Sequence, residues 1–435
     1  MILEFKFLFL QIYSQICNIN YKLGITNMKL GRRSIFLLIT VTLTTFLSII
    51  SSVNACDFND YSYAEWRSSN GQSYLYVQAS DYYTLGYLEG RNLAFQTAYM
   101  KLMILLQAQQ LGLDYDSAVY YSLPYLEFFP EDYLSEMQGM ADGIDHVLIQ
   151  FMDTIYNITI DFMDILAQNC FWDVYYGQIV PLFSGYPQPP LIAGGCTAIA
   201  SKVGGCSKTV FGQHVDLTQL MSPTTSFVYT KINGKKIFSF RTGSLLAMGG
   251  VNKYGIAISD NLLEVLTVGC VGKPVSVIYR SVLENAKNVW QAQEIVISND
   301  FTVGWNYIIR GRRYITAIET IPNSYSTEFI SRNGYTFDAN IYENSNFRMY
   351  MIYPLTYLER HSRISELCYM YSQNGNLDME DVFNVFKDPL ISRRFTTGDP
   401  LQVGTVAGYF VDTKNNIHFC LGNSADSELG VIRRL

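Results

Sequence analysis

The feature that most constrains this chain is a change of pattern at Gly194 to Ala200. Before it, apolar residues recur at helical spacing, whereas after it most segments alternate as β-strands do. Two glycines place Cys196 at the start of a strand-forming run, and Val210 to Leu217 forms a second such run after a glycine-containing turn. The two runs predict a β-hairpin in which Asp216 returns beside Cys196.

A cysteine at such a junction suggests that the Gly195–Cys196 bond is cut. A free thiol has a pKa of about 8.5 and needs a base, which a chain's own α-amine, with a pKa of about 7.7–8.0, can supply. If the Cys196 sulfur attacks the Gly195 carbonyl and the resulting ester hydrolyses, Cys196 becomes an N-terminus that carries both nucleophile and base. Glycine can hold the strained geometry of that attack. The local pattern fits a buried structural cysteine equally well.

The segment around Cys196 resembles the nucleophile region of the acyl-coenzyme A:isopenicillin N (6-aminopenicillanic acid) acyltransferase family, which are N-terminal-nucleophile cysteine hydrolases. Family members carry Gly-Cys-Thr at the self-cleavage point and Gly-Gln-Asn-Trp-Asp in the next strand, which here are Gly195 to Thr197 and Gly212 to Asp216. Further matches in family order are Gly243, Gly249 to Ile256, Asn261, Tyr279 to Ala286 with its Arg-x-x-Leu-x-x-Ala pattern, Glu319, Asn340 and Gly404 to Asp412. The resemblance extends from roughly Asp81 to Gly422, and its specificity lies in the order and spacing of these motifs.

The resemblance implies an α+β fold, the four-layer αββα sandwich of the N-terminal-nucleophile hydrolases. It also implies that the chain divides at the cleavage point. After a leader at residues 1–55, residues 56–195 would form a mainly helical α-subunit or prosegment, and residues 196–435 the catalytic β-subunit. We expect the two cleaved chains to stay associated with each other.

The resemblance further assigns roles to individual residues. Cys196 is the nucleophile, and Gly195 lies on the other side of the autocleavage bond. Asp216 matches the aspartate that ends the family's second strand, where a carboxylate can hold the new ammonium against the sulfur. Asn340 matches the family's oxyanion asparagine, whose amide donor is worth about 2.7–4 kcal/mol, and Asn306 is the alternative donor. The secondary candidates are Thr197, Gln213 and His214.

Two departures from related enzymes bear on the substrate. Penicillin V acylases and bile-salt hydrolases carry an arginine three residues before the aspartate, where this chain has Gln213, as the penicillin acyltransferases do. Those acyltransferases carry an arginine just before the last long strand, where this chain has Gln402 to Gly404. The missing arginine argues against penicillin-type substrates, although Arg360 or the Arg393–Arg394 pair are candidate replacements.

The first residues have the pattern of a secretory leader. Basic residues at Met28 to Arg33 precede the apolar run Ser34 to Ile50, and Ala55 is the expected cleavage position, with translation beginning at Met28 as an option. This predicts a secreted or lysosomal, vesicular-lumen protein. The alternatives are a membrane anchor, if the leader is retained, and a lipid-attachment site at Cys56.

Composition narrows the partners. Removing the leader's five basic and one acidic residues changes the formal net charge from −7 to −11, which argues against nucleic acid as a partner. The chain has only four histidines and no Cys-x-x-Cys pair, which argues against a structural zinc site, so we expect no metal and no cofactor.

Six cysteines besides Cys17 and Cys196 allow up to three disulfides in an oxidising compartment. Asn157 lies in a glycosylation sequon.

Periodicity predicts the main elements. Helices are expected at Tyr82 to Leu111, Pro130 to Ile149, Phe151 to Ala167, Pro274 to Asn285, Val289 to Ile297, Thr356 to Ser372 and Met379 to Phe386. Asn233-Gly234 predicts a hairpin turn between two further strands. Pro181, Gly185, Pro187, Pro189 and Pro190 form a breaker-rich loop that leads to Gly194, where a cut would be accessible. Gly139 and Gly143 are candidates for close helix packing, and the strands predict two antiparallel sheets covered by helices.

These features together predict an autocatalytically processed cysteine N-terminal-nucleophile enzyme. It would hydrolyse or transfer the acyl group of a small-molecule N-acyl substrate through an acyl-Cys196 intermediate, with acyl-CoA as a candidate substrate. A related lipid amidase of the acid ceramidase or N-acylethanolamine type is the second interpretation, tested by long-chain amides at acidic pH. A degenerate, non-catalytic luminal binding protein is the third, and an uncut chain would favour it.

Overall fold

A computed structural model describes residues 61–182, 191–192, 194–204, 208–330, 334–352, 355–373, 375 and 377–435. The predicted leader, Cys56, Cys206 and most of the breaker-rich loop lie outside the described residues. The strands are β1 (Tyr63–Ser69), β2 (Gln72–Ala79), β3 (Val147–Phe151), β4 (Thr154–Ile158), β5 (Gly194–Val203), β6 (Lys208–Thr218), β7 (Thr225–Ile232), β8 (Lys235–Thr242), β9 (Gly250–Asn252), β10 (Ala257–Ile258), β11 (Asn261–Leu263), β12 (Gly304–Arg310), β13 (Ile315–Ile321), β14 (Ser324–Phe329), β15 (Tyr335–Asp338), β16 (Val403–Val411), β17 (Ile417–Leu421) and β18 (Gly430–Ile432).

The helices follow the same chain order. They are α1 (Tyr82–Gln110), α2 (Tyr115–Ser122), α3 (Glu131–Gly143), α4 (Phe162–Val174), α5 (Val180–Leu182), α6 (Val275–Asn285), α7 (Val289–Ile297), α8 (Ser345–Arg348), α9 (Leu355–Ser372) and α10 (Met379–Phe386). Short 3₁₀ segments lie at Leu123–Phe128 and Gln219–Thr224, and a π-helical turn at Tyr175–Ile179 continues α4. None of the helices in the described part of the chain has the length and apolar character that a bilayer crossing requires.

Two sheets packed face to face form the centre of the fold. The large sheet runs β1-β2-β7-β8-β9-β10-β12-β13-β14, with β11 also paired to β12, and the small sheet runs β15-β5-β6-β16-β17-β18. Helices α1, α6 and α7 pack on the large sheet, and α9 and α10 on the small sheet. The chain therefore has the predicted α+β class and four-layer αββα architecture.

The predicted hairpins form. In β5 and β6, Cys196 pairs with Val215 and Gly195 with Asp216. Strands β7 and β8 are joined at Asn233 and Gly234, whose φ values of 47° and 72° are those of the hairpin turn that such a dipeptide favours. Both predictions are confirmed because the turn residues and the two-residue alternation point to the same register.

Two of the predicted helices are wrong in part. The helix predicted for Pro130 to Ile149 ends at Gly143, and the one predicted from Phe151 begins only at α4. Between them, β3 and β4 form a hairpin, because Val147 to Ile158 is rich in β-branched and aromatic residues whose short apolar run fits either period. Asp161 starts α4 with a capping box, since its side chain accepts the Asp164 backbone N–H.

The segment before Cys196 is mainly helical, as expected, but it also contributes two unpredicted strands to the large sheet. Strand β2 pairs in parallel with β7, an exception to the antiparallel pairing predicted for both sheets. Helix α2 was not predicted either. The part of the chain before Cys196 is thereby built into the same sheet as part of the chain after it.

Close helix packing and buried ion pairs fix the helical layer. A Cβ on Gly139 would lie 2.1 Å from the Tyr83 carbonyl oxygen of α1, and one on Gly143 would lie 2.3 Å from that of Tyr87, so the close-packing prediction is confirmed. Across to the later part of the chain, Glu89 pairs with Arg241 at 2.7 Å and Glu136 with Arg280 at 2.8 Å, all four side chains fully buried. These pairs connect α1 and α3 to β8 and α6.

The disulfide expectation is wrong for four of the six cysteines. Cys170, Cys270, Cys368 and Cys420 are free thiols, the second of them exposed. Three of them lie in separate elements, α4, α9 and β17, and Cys270 lies in the loop before α6. Asn157 is exposed on β4, and its glycosylation stays a prediction.

Candidate active site

Cys196 is the third residue of β5, and its side chain faces the layer between the two sheets. Side chains alternate along β5, so Cys196 belongs with Ala198 to the main core, while Ile199 packs on the other side against the helices of the small sheet. Gln213 and Val215 of β6 share the inner face with Cys196 by register. The residue is only 6% exposed.

The peptide of Cys196 is held on both sides by groups on the opposite face of β5. Asn340 Oδ1 accepts the Cys196 backbone N–H at 2.7 Å, and Arg360 Nη1 donates to the Cys196 carbonyl oxygen at 3.0 Å. Arg360 Nη2 also donates to Asn340 Oδ1 at 2.6 Å. A Cβ on Gly195 would lie 2.9 Å from Arg360 Nη2 and 3.1 Å from Asn340 Oδ1, so glycine lets both groups reach the backbone.

Asp216 lies opposite Gly195 and is fully buried. Its Oδ1 accepts the Thr405 hydroxyl at 2.7 Å, whereas its Oδ2 lies 3.7 Å from Arg360 Nη1 and has no hydrogen-bond partner. Burial raises the pKa of Asp216, although Arg360, Arg393 and the Thr405 hydroxyl act in the opposite direction. An unused acceptor therefore remains one register position from the Cys196 nitrogen.

Burial raises the pKa of the Cys196 thiol well above its ordinary value, and the charges of Asp260 and Asp216 act in the same direction. The backbone N–H of Asp216 and the Arg360 guanidinium oppose this rise. The sulfur is consequently protonated at neutral pH, and a role as nucleophile would require a base close by.

Asn340 adopts a left-handed backbone conformation with φ of 65°, which asparagine tolerates better than most residues. Asp338 Oδ2 accepts the Asn340 N–H at 3.0 Å and fixes this turn. The side-chain amide of Asn340 donates to the Leu262 carbonyl at 2.7 Å. Asn340 thus acts toward Cys196 as an acceptor, and its role as an oxyanion donor stays a prediction.

The secondary candidates lie in different places. Thr197 Oγ1 is bonded by Arg360 Nη1 at 2.8 Å, on the outer face of β5. Gln213 is on the inner face, where its amide donates to Asp260 and its carbonyl oxygen accepts the Tyr409 hydroxyl at 2.6 Å. Both side chains are therefore part of the network around the Cys196 peptide or thiol.

His214 and Asn306 are not bonded to that network. His214 faces away from the thiol, shares a 2.6 Å hydrogen bond with Ser424 and packs on Phe386, and burial lowers its pKa to about 3. A neutral histidine on the outer face does not reach the sulfur. Asn306 lies on the large sheet opposite Asn261 in register, and its Oδ1 has no hydrogen-bond partner.

Three residues at the site were not assigned these places from the sequence. Arg360 was considered only as a substrate-binding arginine, and Tyr357, one helical turn earlier, donates to the Gly194 carbonyl at 2.9 Å. Asp260 has an unpartnered Oδ2, and burial raises its pKa well above its ordinary value. The available signal was weak: Tyr357 and Arg360 share one face of α9 by their spacing, while Asp260 directly precedes the family-like Asn261.

A cavity of about 400 Å³ opens beside Arg360. It is lined by Glu359, Arg360, Pro389, Leu390, Ser392, Arg393, Arg394, Thr396, Gln402 and Val403. Gln402 and Val403 are the positions at which the penicillin acyltransferases were expected to carry their arginine. Arg393 and Arg394 line the same space, and Arg394 is paired with Asp426, so Arg393 is the arginine that supplies positive charge there.

Comparisons with known proteins find one matching family model and several similar solved structures. The sequence model of a family described as acyl-coenzyme A:6-aminopenicillanic acid acyl-transferase matches residues 205–426, which include Asp216, Asn340 and Arg360 and begin after Cys196. No curated protein matches the chain. The structure of penicillin V acylase from Agrobacterium tumefaciens is 12% identical over 55% of this chain and 86% of that chain, with a TM-score of 0.36. A mutant of conjugated bile acid hydrolase from Clostridium perfringens is 11% identical over 55% of this chain and 92% of that chain, with a TM-score of 0.39.

Proposed function

The chain belongs to the acyl-coenzyme A:6-aminopenicillanic acid acyl-transferase family, and we propose that it is an N-terminal-nucleophile enzyme that uses Cys196 to move acyl groups. Cleavage of the Gly195–Cys196 bond by the chain itself would free the α-amine that activates the thiol. The mature enzyme would then form an acyl-Cys196 thioester from an N-acyl substrate and pass the acyl group to water or to an amine.

The observation that carries this proposal is that Asn340 and Arg360 hydrogen-bond the N–H and the carbonyl oxygen of Cys196. In self-cleavage, the sulfur bonds to the Gly195 carbonyl carbon, the C–N bond breaks and the Cys196 nitrogen takes up the thiol proton. Water then hydrolyses the thioester, which leaves a carboxylate on Gly195 and restores the thiol. Fixing the peptide in one geometry lowers the entropy cost of this attack.

In the cleaved chain the new α-amine would have two acceptors within reach. Asn340 Oδ1 already contacts the same nitrogen, and Asp216 Oδ2 has no other hydrogen-bond partner. These acceptors would hold the amine beside the sulfur, where it takes the thiol proton as the acyl-thioester forms and returns it to the leaving amine. The Arg360 guanidinium, and the Asn340 amide once released from Leu262, would stabilise the oxyanion.

Buried contacts support an assembly that survives the cut. The Glu89–Arg241 and Glu136–Arg280 pairs would become contacts between α- and β-subunits, and removing one partner of a buried pair typically costs about 3–5 kcal/mol. The parallel pairing of β2 with β7 would also cross the subunit boundary.

The substrate is proposed as a small N-acyl molecule, and the 400 Å³ cavity beside Arg360 is proposed to hold the part of it that is remote from the scissile amide. Acyl-CoA is a candidate acyl donor, since Arg393 there suits anionic groups, whereas Arg394 is already paired with Asp426. No other cofactor is needed for the proposed steps. The leader pattern supports delivery to a lumen or to the outside, with membrane attachment if the leader is retained.

A lipid amidase of an acidic compartment is the second candidate, favoured by one observation. Burial raises the pKa of Asp338 to about 6 and that of Glu319 to about 7. In mild acid both carboxyls are therefore neutral, and their burial then lowers the stability of the fold least. Activity on long-chain amides at acidic pH, with none on thioesters, would select this candidate.

Intact mass of the purified chain tests the proposal. We expect two fragments that end at Gly195 and begin at Cys196, co-eluting in native size-exclusion chromatography. The cleaved protein should release amine from N-acyl probes and be labelled at Cys196 by a thiol-reactive acyl probe. One uncut chain that such a probe does not label would overturn the proposal and favour a binding protein.

A further inference from the structure

A second cavity, of about 230 Å³, lies between the two sheets where β14 and β15 are the edge strands. Its lining includes the side chains of Asn306, Glu319, Ser326, Glu328, Thr336 and Glu343. The space between packed sheets is ordinarily filled by apolar side chains at close to crystal density. A polar cavity there costs stability, and such departures concentrate at ligand sites.

The strand register places the polar side chains of the large sheet in one row. Asn306 pairs with Glu319, and Glu319 pairs with Ser326, so that side chains from three successive strands lie next to one another on the same face. Glu328 follows on the same face of β14, two residues after Ser326. The row thus presents oxygen atoms of three strands to one space.

One of these oxygens has no hydrogen-bond donor, and two of the carboxylates have no cation among the described residues. Asn306 is 2% exposed and lines the cavity, and its Oδ1 has no hydrogen-bond partner. Glu319 accepts the backbone N–H groups of Glu343 and Asn344 at 2.5 and 2.9 Å, but among the described residues no cation forms a salt bridge with it or with Glu328. Buried acceptors without donors are rare in folded proteins.

The charge in the cavity is also unbalanced. Glu343 is paired with His361 at 2.5 Å and lies 3.6 Å from Arg348, whereas Glu319 and Glu328 have no such partner among the described residues. Burial raises the pKa of Glu319 to about 7, with the charges of Asp338 and Glu343 acting in the same direction. A ligand that brings positive charge and N–H donors would compensate both deficits.

We propose that this cavity binds the primary ammonium group of a small organic cation, with Asn306, Glu319 and Glu328 as its acceptors. A primary ammonium offers three N–H donors and no acceptor, which matches three acceptor side chains. A metal ion fits less well, because the described residues contain no group of three or more His, Cys, Asp or Glu side chains arranged to hold one. Ala317 and Phe337 in the lining provide contact for a short alkyl chain.

Calorimetric titration of the full chain carrying Cys196→Ala tests this site, because that variant binds without turning over and so separates this proposal from the catalytic one. We expect n-butylammonium to bind, 1-butanol of similar shape to give no signal, and n-butyltrimethylammonium, which has no N–H, to bind at least about tenfold more weakly. Equal binding of butanol, or displacement of butylammonium by stoichiometric Ca²⁺, would overturn the proposal.

Variants locate the binding. Glu319→Gln should weaken n-butylammonium about tenfold, and Glu328→Gln, at an exposed position whose change leaves the fold intact, should weaken it several-fold. Glu294→Gln, which changes an exposed carboxylate on α7, is the matched control and should bind as the parent does. Unchanged affinity in Glu328→Gln and in a folded Glu319→Gln would show that the amine binds elsewhere.

Discussion

The layer between the two sheets is aromatic near β17 and polar near β15. At the aromatic end, defined by Tyr74, Phe227, Phe238 and Phe419, the Phe419 ring lies 5.7, 5.3 and 5.0 Å from the other three in that order. The polar end is defined by Gln213, Asp260, Asn261, Asn306, Glu319 and Asp338, all of which are buried. Hydrogen bonds join the first three of these side chains and Asp338, whereas Asn306 Oδ1 has no partner. Both ends are largely buried, but their chemistry is opposite.

The difference separates an end that stabilises the fold from an end that adjoins the proposed site. Aromatic burial stabilises a fold directly, by area and by ring contacts of about 0.5–1.5 kcal/mol each. Buried carboxyls and amides lower stability unless every group is paired, and here Asp260 Oδ2, Asp338 Oδ1 and Asn306 Oδ1 are not. The polar end adjoins Cys196. The unpaired buried groups that lower the stability of the fold therefore lie close to the proposed reaction site.

The largest effect is expected at the polar end, from Cys196→Ala. If the sulfur is the nucleophile, chain cleavage and amine release should both fall at least about a thousandfold, while the fold survives the loss of one small side chain. Intact mass and an amine-release assay measure the two outcomes. Cys270→Ser, which changes an exposed free thiol, is the matched control and should mature normally.

At the aromatic end, Phe419→Ala should destabilise the protein without touching the chemistry. Deleting a fully buried phenylalanine typically costs about 3–5 kcal/mol of unfolding free energy. Denaturant unfolding measures that loss, and activity per folded molecule should stay at the parent level. Phe95→Ala, at a side chain 46% exposed, should lower the free energy of unfolding far less. An equal loss in the two variants would contradict the view that the aromatic end stabilises the fold.

Rising pH should destabilise the polar end through Glu319. Burial raises its pKa from an ordinary 4.5 to about 7 in the folded chain, so folded Glu319 keeps a proton that the unfolded chain has released. Its stabilising effect is full below pH 4.5 and is lost as the pH rises through about 7, by about 3 kcal/mol at most. Asp338 and Glu343 face it and act in the same direction.

Unfolding measured at pH 5 and pH 8 checks this sign. Glu319→Gln should lose less stability over that interval than the parent, because the amide does not titrate. If parent and variant change equally, Glu319 is not the group responsible. Asp338, with a pKa raised to about 6, would then be the next carboxyl to replace.

Arg360→Lys tests how the polar end is coupled to the Cys196 peptide. Lysine keeps the charge but cannot donate to the Cys196 carbonyl, Thr197 and Asn340 together, so cleavage should slow about ten- to a hundredfold. Time-resolved intact mass gives the rate. Arg363→Lys, on the same helix but bonded to Glu366 and Asp388, should cleave as the parent does.

Local signals were enough for much of the fold. The glycine-containing turn between the Cys196 and Val210 runs, the Asn233-Gly234 dipeptide and the long helical periods each predicted an element that forms. The β3–β4 hairpin was missed because five-residue apolar runs fit a strand or a helix equally, and only packing on α1 decides between them. Strands β1 and β2 were missed because their alternation mixes tyrosines with polar residues.

The site was predictable only where chemistry and family pattern met in one stretch. Cys196 and Asp216 are twenty residues apart in one hairpin, whereas Arg360 reaches the same peptide from α9, on an element far along the chain. Asn340 was placed beside Cys196 by resemblance, but its use as an acceptor depends on the Leu262 carbonyl that engages its amide. Such long-range hydrogen bonds leave no local signature in the sequence.

The smallest effect is expected just outside the polar end, at His214. Gln213 and His214 are adjacent on β6, yet alternation puts the first in the inter-sheet layer and the second on the outer face. With a pKa of about 3, His214 stays neutral from pH 5 to 8 and contributes no charge to catalysis. His214→Asn should therefore leave the cleavage rate and its pH profile within about twofold of the parent. Losing the hydrogen bond to Ser424 should lower the free energy of unfolding by about 1 kcal/mol.

Gln213→Leu is the matched change one residue away. Because it removes the partner of Asp260 and Tyr409, it should slow cleavage clearly more than His214→Asn does, and the reverse order would contradict the division between inner and outer faces.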